Sequence, residues 1–241
     1  MPLLDHFRPP LHGPHPWEGF HHAWATLIAQ QLNLSVLPRD YFAAPEITMG
    51  PAVQIDVATL RRTDTPGAAG AEFPQAWVPP KPKFTASVDF SRLEGIEVRV
   101  FQDLGGSELR AVIELVSAAN KDHTATRETF AVKCAGYLRH GIGLVIIDVV
   151  TTRLANLHAA IFEMLEVKSR RSSWESRTGL YAVAYRPVTV LKKPRIEVWP
   201  VPLALGEALP VLPLWLHVDL YVPLRLEDSY LTTCRSLRIP A

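Results

Sequence analysis

Three carboxylates stand inside apolar runs of this chain: Asp56 in AVQIDVATL (52–60), Glu114 in LRAVIELV (109–116) and Asp148 in VIIDVV (145–150). On a β-strand successive side chains alternate between faces, so Val112, Glu114 and Val116 share one face, and Ala111, Ile113 and Leu115 the other. Both sets are apolar, which sends Glu114 toward the interior. An ionised carboxylate there must be paired, protonated or bound to metal, because an unpartnered buried charge is very costly. A lone acid of this kind commonly sits near a strand end and reaches water or a backbone donor. Two or three in one small sheet suggest more, since converging carboxylate oxygens are what hard divalent cations bind. Of the three, Asp148 is the one expected to be structural. Glu46, on the strand before Asp56, is a further candidate for such a shell.

The elements that must position these acids follow from periodicity and punctuation. Trp17 to Leu32 carries a helical apolar stripe. Tyr41 to Met49 and Val53 to Leu60 are predicted as a strand pair turned at Gly50-Pro51, and Gly95 to Gln102 and Glu108 to Val116 as a hairpin turned at 103–106. Thr124 to His140 is predicted as a helix closed by Gly141. Gly143 to Val150 is apolar on both faces, as suits a strand covered on two sides. A helix over 153–167 and strands over 180–185 and 195–199 follow. The predicted fold class is α/β, a mixed β-sheet flanked by helices.

Proline is abundant, with 21 residues, many between Thr63 and Lys83 or between Pro194 and Pro223. The expectation is one domain over 1–241, with a flexible insertion at about 61–83 and an extended proline-rich C-terminal segment wrapping the surface from about 194. That wrap is expected to close in a short helix using Leu226, Tyr230 and Leu237.

Composition narrows the function classes. Hydrophobic residues make up 48% and charged residues 20%, ordinary for a globular chain. The formal net charge is +1, so any nucleic-acid contact needs a local patch: Arg61-Arg62, Lys168 with Arg170 and Arg171, or Lys192-Lys193 with Arg195. No basic-then-apolar leader opens the chain, and no uncharged apolar run reaches the ~18 residues of a membrane span. The two cysteines, Cys134 and Cys234, make neither a disulfide framework nor a zinc site, so a cytoplasmic protein with no membrane partner is expected. Among early histidines (His6, His12, His15, His21, His22) no spacing fits a ligand pattern, and they are read as part of a flexible opening segment.

Several of these residues also form a recognisable pattern: an Asp at 56, Glu-x-x-Ser at Glu114 and Ser117, Lys-x-x-x-Tyr at Lys133 and Tyr137, then Gly141 and a buried strand ending in Asp148. With WEGFHHAW (17–24) and LPVLPL (209–214), it resembles a bacterial family of unknown function that in turn resembles the Uma-type restriction endonucleases of the PD-(D/E)XK nuclease superfamily. The resemblance covers most of the chain outside 61–83. It implies a restriction-endonuclease-like fold and metal-dependent phosphodiester hydrolysis, with DNA as substrate. Asp56, Glu114 and the carbonyl of Leu115 would then bind Mg²⁺ (or Mn²⁺).

One departure matters. The superfamily places a lysine two residues after the Glu, and here that position is Val116. The cation that such chemistry needs near the phosphate must come from elsewhere. Lys133 is the candidate the pattern supplies, sharing a helical face with Phe130, Cys134 and Tyr137; a snorkelling lysine at the margin of that stripe is the alternative. Lys121 is the runner-up, read as a solvated loop lysine whose direction nothing fixes. Ser117 and Asn120 are read as turn chemistry. The competing function is a non-catalytic binding or scaffold module on the same fold, with the acids paired to Lys133 and arginines; a homodimer is compatible with either.

Overall fold

The computed structural model describes residues 2–48, 54–61, 77–87, 108–167 and 176–240, with the backbone alone at 46–48, 54–61 and 87. The predicted turns at Gly50-Pro51 and 103–106, the strand over 95–102 and most of the 61–83 insertion lie outside these residues.

The chain opens with α1 (Trp17–Ser35), then β1 (Tyr41–Thr48), β2 (Gln54–Arg61), β3 (Phe84–Ser87) and β4 (Glu108–Leu115). After a 3₁₀ turn at Ala119–Lys121 come α2 (Thr124–Arg139), β5 (Gly143–Asp148) and α3 (Leu157–Met164). The C-terminal part supplies β6 (Tyr181–Val190), β7 (Lys193–Pro202), β8 (Val211–His217), β9 (Leu220–Arg225) and α4 (Leu226–Ser236). Among the described residues seven strands form one sheet in the order β1-β2-β4-β5-β6-β7-β3, and β8-β9 form a separate ribbon. Of these pairs only β4 and β5 run parallel, joined across the sheet by α2; the other sheet pairs are antiparallel. A parallel pair needs such a crossover. The protein is thus a mixed α/β fold, as its alternation of strand-like and helix-like segments predicts.

The central strands are buried on both faces: every residue of β5 is buried, as are Ala111 to Leu115 of β4. Gly143 shows which layer covers which face. A Cβ built there would lie 2.0 Å from the Trp215 carbonyl oxygen, so the ribbon presses directly on β5 where only glycine leaves room. Val145 and Ile147 share that face, while Leu144, Ile146 and Asp148 turn to the face carrying α2 and α3. Because Glu114 registers with Ile146 across the parallel pair, it lies on the α2 face as well.

Two expectations about the ends of the chain are corrected. Beyond residue 194 the chain is no surface wrap: it completes the sheet with β7, covers it with the ribbon and closes with α4. Leu214, Leu224 and Tyr230 are fully buried. Among the described residues β8 and β9 pair only with each other, so Pro213 and Pro223 have outer edges where a missing N–H costs no ladder bond. Pro200 and Pro202 lie where β7 runs beyond its β3 pairing. Nor is the opening segment loose. Leu3, Phe7 and Leu11 are core residues, and His6 Nε2 lies 2.8 Å from Tyr230 Oη. Burial pulls the His6 pKa down to about 4, so its neutral ring belongs to an aromatic cluster with Trp17 and Phe20.

The helix expected over 153–167 is shorter: Asn156 caps it by accepting from Ala159 N, and it ends at Met164. The last part of the predicted insertion is fastened: Trp77 meets Tyr221 edge-on, and Trp199 Nε1 donates to the Pro80 carbonyl at 2.7 Å. Cys134 and Cys234 are both buried, in α2 and α4. Among the described residues no helix is long and apolar enough to cross a membrane.

Candidate functional site

β4 carries Glu114 into the centre of the sheet, and α2 must fold back over that strand to bury Phe130, Cys134, Tyr137 and Leu138. Lys133 lies on the same side of α2, and its stem spans the gap. Lys133 Nζ donates to Glu114 Oε2 at 2.8 Å. The carboxylate side chain is 3% exposed and the lysine side chain 18%, so what the pair shows to water belongs mostly to the lysine. The ammonium also sits 5.3 Å from the centroid of the Phe130 ring, whose face attracts a cation.

Asp56 lies in β2, one residue before Val57, which registers with Ile113 of β4. The backbone of Asp56 therefore runs beside that of Glu114; its side chain, like that of Glu46, lies outside the description. Leu115 follows Glu114, registers with Ile147 and is buried. Glu114 and the Leu115 carbonyl offer oxygen donors only, the donor class that suits Mg²⁺ or Mn²⁺. Among the described residues no group of three His, Cys, Asp or Glu side chains could hold a metal ion. A metal here accordingly depends on Asp56 as the second carboxylate.

Asp148, at the end of β5, is on the same face and already engaged. Lys121 Nζ donates to its Oδ2 at 2.8 Å, Val150 N donates to its Oδ1 at 3.1 Å, and the Tyr181 side chain hydrogen-bonds to it from the facing strand. Both members of the Lys121–Asp148 pair are fully buried. Burial pushes the Asp148 pKa up to about 6, with Lys121 pulling against it. This corrects the reading of Lys121 as a solvated loop lysine. It stands in the 3₁₀ turn, 1% exposed, and Asp148 fixes its direction. The turn is locked by Ser117 and Asn120, since Asn120 Oδ1 accepts from both Ser117 N and Ser117 Oγ at 2.9 Å.

Sequence reasoning missed the polar layer beside Asp148. Tyr181 Oη accepts from Leu157 N and His158 N, and His158 Nδ1 lies 2.7 Å from Tyr185 Oη. Burial lowers the His158 pKa to about 3, so the ring is neutral. A signal existed: Tyr181 and Tyr185 are four apart on one strand and so share a face. Their hydroxyls needed buried partners, which His158 and Asp148 supply.

No protein-family model, curated protein or solved structure matches this chain at a significant level. The fold and site on their own define a mixed α/β protein with two lysine–carboxylate pairs beneath one crossover helix.

Proposed function

We propose that the chain is a metal-dependent phosphodiesterase of the PD-(D/E)XK type that acts on DNA. The observation that supports this is the 2.8 Å contact between Lys133 Nζ and Glu114 Oε2. It sets a cation at the end of a buried strand carboxylate without the lysine at position 116, on a lysine side chain that is itself part-exposed. Asp56, Glu114 and the Leu115 carbonyl would hold Mg²⁺ or Mn²⁺. The bound ion would lower the pKa of a water nucleophile and neutralise charge on the phosphate. Lys133 would place its ammonium against a non-bridging phosphate oxygen, where charge builds up in the transition state. Glu114, held by that amine, would keep its carboxylate aimed at the same point.

The test is thermal unfolding in Mg²⁺ and Mn²⁺ series with and without a short DNA duplex, alongside a cleavage assay. Wild type is expected to gain stability by mass action, and Asp56→Ala and Glu114→Ala to lose that response. A flat wild-type response together with no cleavage would overturn the proposal.

One observation favours a second reading, a non-catalytic binding module. Each described buried carboxylate on this face already has a lysine counter-ion at 2.8 Å, so charge is balanced there without metal. Under that reading Glu114→Gln with Lys133→Met keeps every binding property of the wild type.

A further inference from the structure

The last β6 residue registered against β5 is Tyr185, opposite Leu144, yet β6 and β7 continue to pair as far as Val190↔Lys193. Pro187 to Val190 therefore run past the start of β5 by roughly 13 Å, at about 3.3 Å per residue. On the far side β3, ending at Ser87, flanks β7 as far as Arg195. Among the described residues this leaves a two-stranded arm whose tip, Thr189 to Lys193, is exposed throughout.

Its composition is unusual for a turn. Leu191 is 90% exposed and Val190 41%. Leu191 and Lys192 both take positive φ, +51° and +61°, where asparagine and glycine are the favoured residues. Lys192, Lys193 and Arg195 gather cations at this tip. Glu197, further down β7, is already taken by Arg186 at 3.2 Å. A strained turn that displays an exposed aliphatic side chain beside two lysines serves no packing purpose among the described residues.

We propose that this arm grips duplex DNA, with Leu191 entering a groove and Lys192 and Lys193 resting on the flanking phosphates. The proposal rests on the DNA-directed reading above and adds an anchoring contact to it. A two-stranded ribbon fits the ~12 Å major groove, and apolar side chains flanked by cations are a recurring means of engaging bases and backbone together. One leucine beside a half-exposed valine is, by contrast, too little apolar area to hold a bilayer surface, where even a full acyl chain binds marginally. Glu114 is level with Ile146 and so with Val183, about 23 Å along the strands from Val190. One turn of B-form duplex, about 34 Å, is long enough to span arm and site.

The test is fluorescence anisotropy of a 20-base-pair duplex in EDTA, which separates binding from metal-dependent cleavage. Lys192→Gln/Lys193→Gln is expected to weaken binding on the order of tenfold at low salt and to reduce the salt slope by about 2. Leu191→Asn/Lys192→Gly suits the turn better, so it is expected to raise the melting temperature while lowering affinity. A turn without a binding role would gain stability and lose nothing. Unchanged affinity and slope in both variants overturn the arm proposal, whatever the cleavage assay shows. Leu191-dependent binding to phosphatidylserine vesicles with no binding to DNA overturns it too. Arm-dependent binding without cleavage under any metal upholds the arm and overturns the phosphodiesterase.

Discussion

Two lysine–carboxylate pairs lie on one face of the sheet with the same 2.8 Å separation, yet their surroundings set them different tasks. Lys121–Asp148 is sealed, with neither side chain reaching water, and Asp148 takes further hydrogen bonds from Val150 N and Tyr181. Lys133–Glu114 is less deeply buried, with the lysine side chain 18% exposed and the glutamate 3%. A sealed pair holds its turn and strand in place but offers no room for a third party. A rim pair can exchange its lysine contact for a ligand, because its lysine side chain already borders on water. Chemical identity of the residues does not separate the two; depth does.

The largest expected effect is on stability. Lys121→Met leaves Asp148 without its counter-ion in the interior, whether it stays charged or takes up a proton, which should cost about 3–5 kcal/mol. Lys133→Met should cost less, about 1–3 kcal/mol, because this pair is less completely withdrawn from water. Urea denaturation of the two variants ranks them, and equal losses would break the distinction between sealed and rim pairs.

Next in size is catalysis. Lys133→Met should lower metal-dependent DNA cleavage about 10²–10³-fold, the usual effect of removing a positioned charge from a transition state. Lys121→Met, assayed well below its own unfolding transition, should keep most of the activity. The reverse ranking would assign the working amine to the sealed pair and undo the comparison.

Replacing both sealed partners tests whether that pair is structural only. Lys121→Met/Asp148→Leu removes the desolvation cost along with the attraction, so it should recover most of the loss seen in Lys121→Met. A double variant as unstable as the single one would mean that Tyr181 and Val150 N depend on the carboxylate more than the lysine does.

The smallest effect is a change of slope with pH. Asp148 has a folded pKa of about 6, above its ordinary 3.8. The folded chain therefore binds the extra proton between about pH 4 and 6, and this group makes stability fall as pH rises through that window. His158 and His6, lowered to about 3 and about 4, act with the opposite sign. They contribute fully above about 6.5 and lose their contribution as pH drops, because the unfolded imidazoles take up protons. Lys121→Met/Asp148→Leu removes the first contribution alone, so its stability should rise with pH more steeply than that of wild type from pH 4 to 6. Parallel melting-temperature profiles would show that Asp148 does not titrate in this window.

Much of this molecule is decided by sequence alone. The stripe at Trp24, Ile28 and Leu32 makes a helix, the unbroken apolar run at 143–148 makes a doubly covered strand, and Gly141 at φ +75° ends α2. These are local consequences of periodicity and backbone sterics. Local pattern also marked Glu114 as a buried acid, because alternation alone sent it inward. Only the tertiary structure decided which lysine meets which acid. Lys121 reads as a solvated loop residue until β5 is laid parallel to β4, which brings Asp148 over the turn that follows Glu114. The C-terminal prolines read as a wrap until β8 and β9 pair with each other and Gly143 lets the ribbon settle on β5. The reason is the same in both cases: a residue's burial is set by what the chain brings against it from far away, and single-segment periodicity carries no record of that partner.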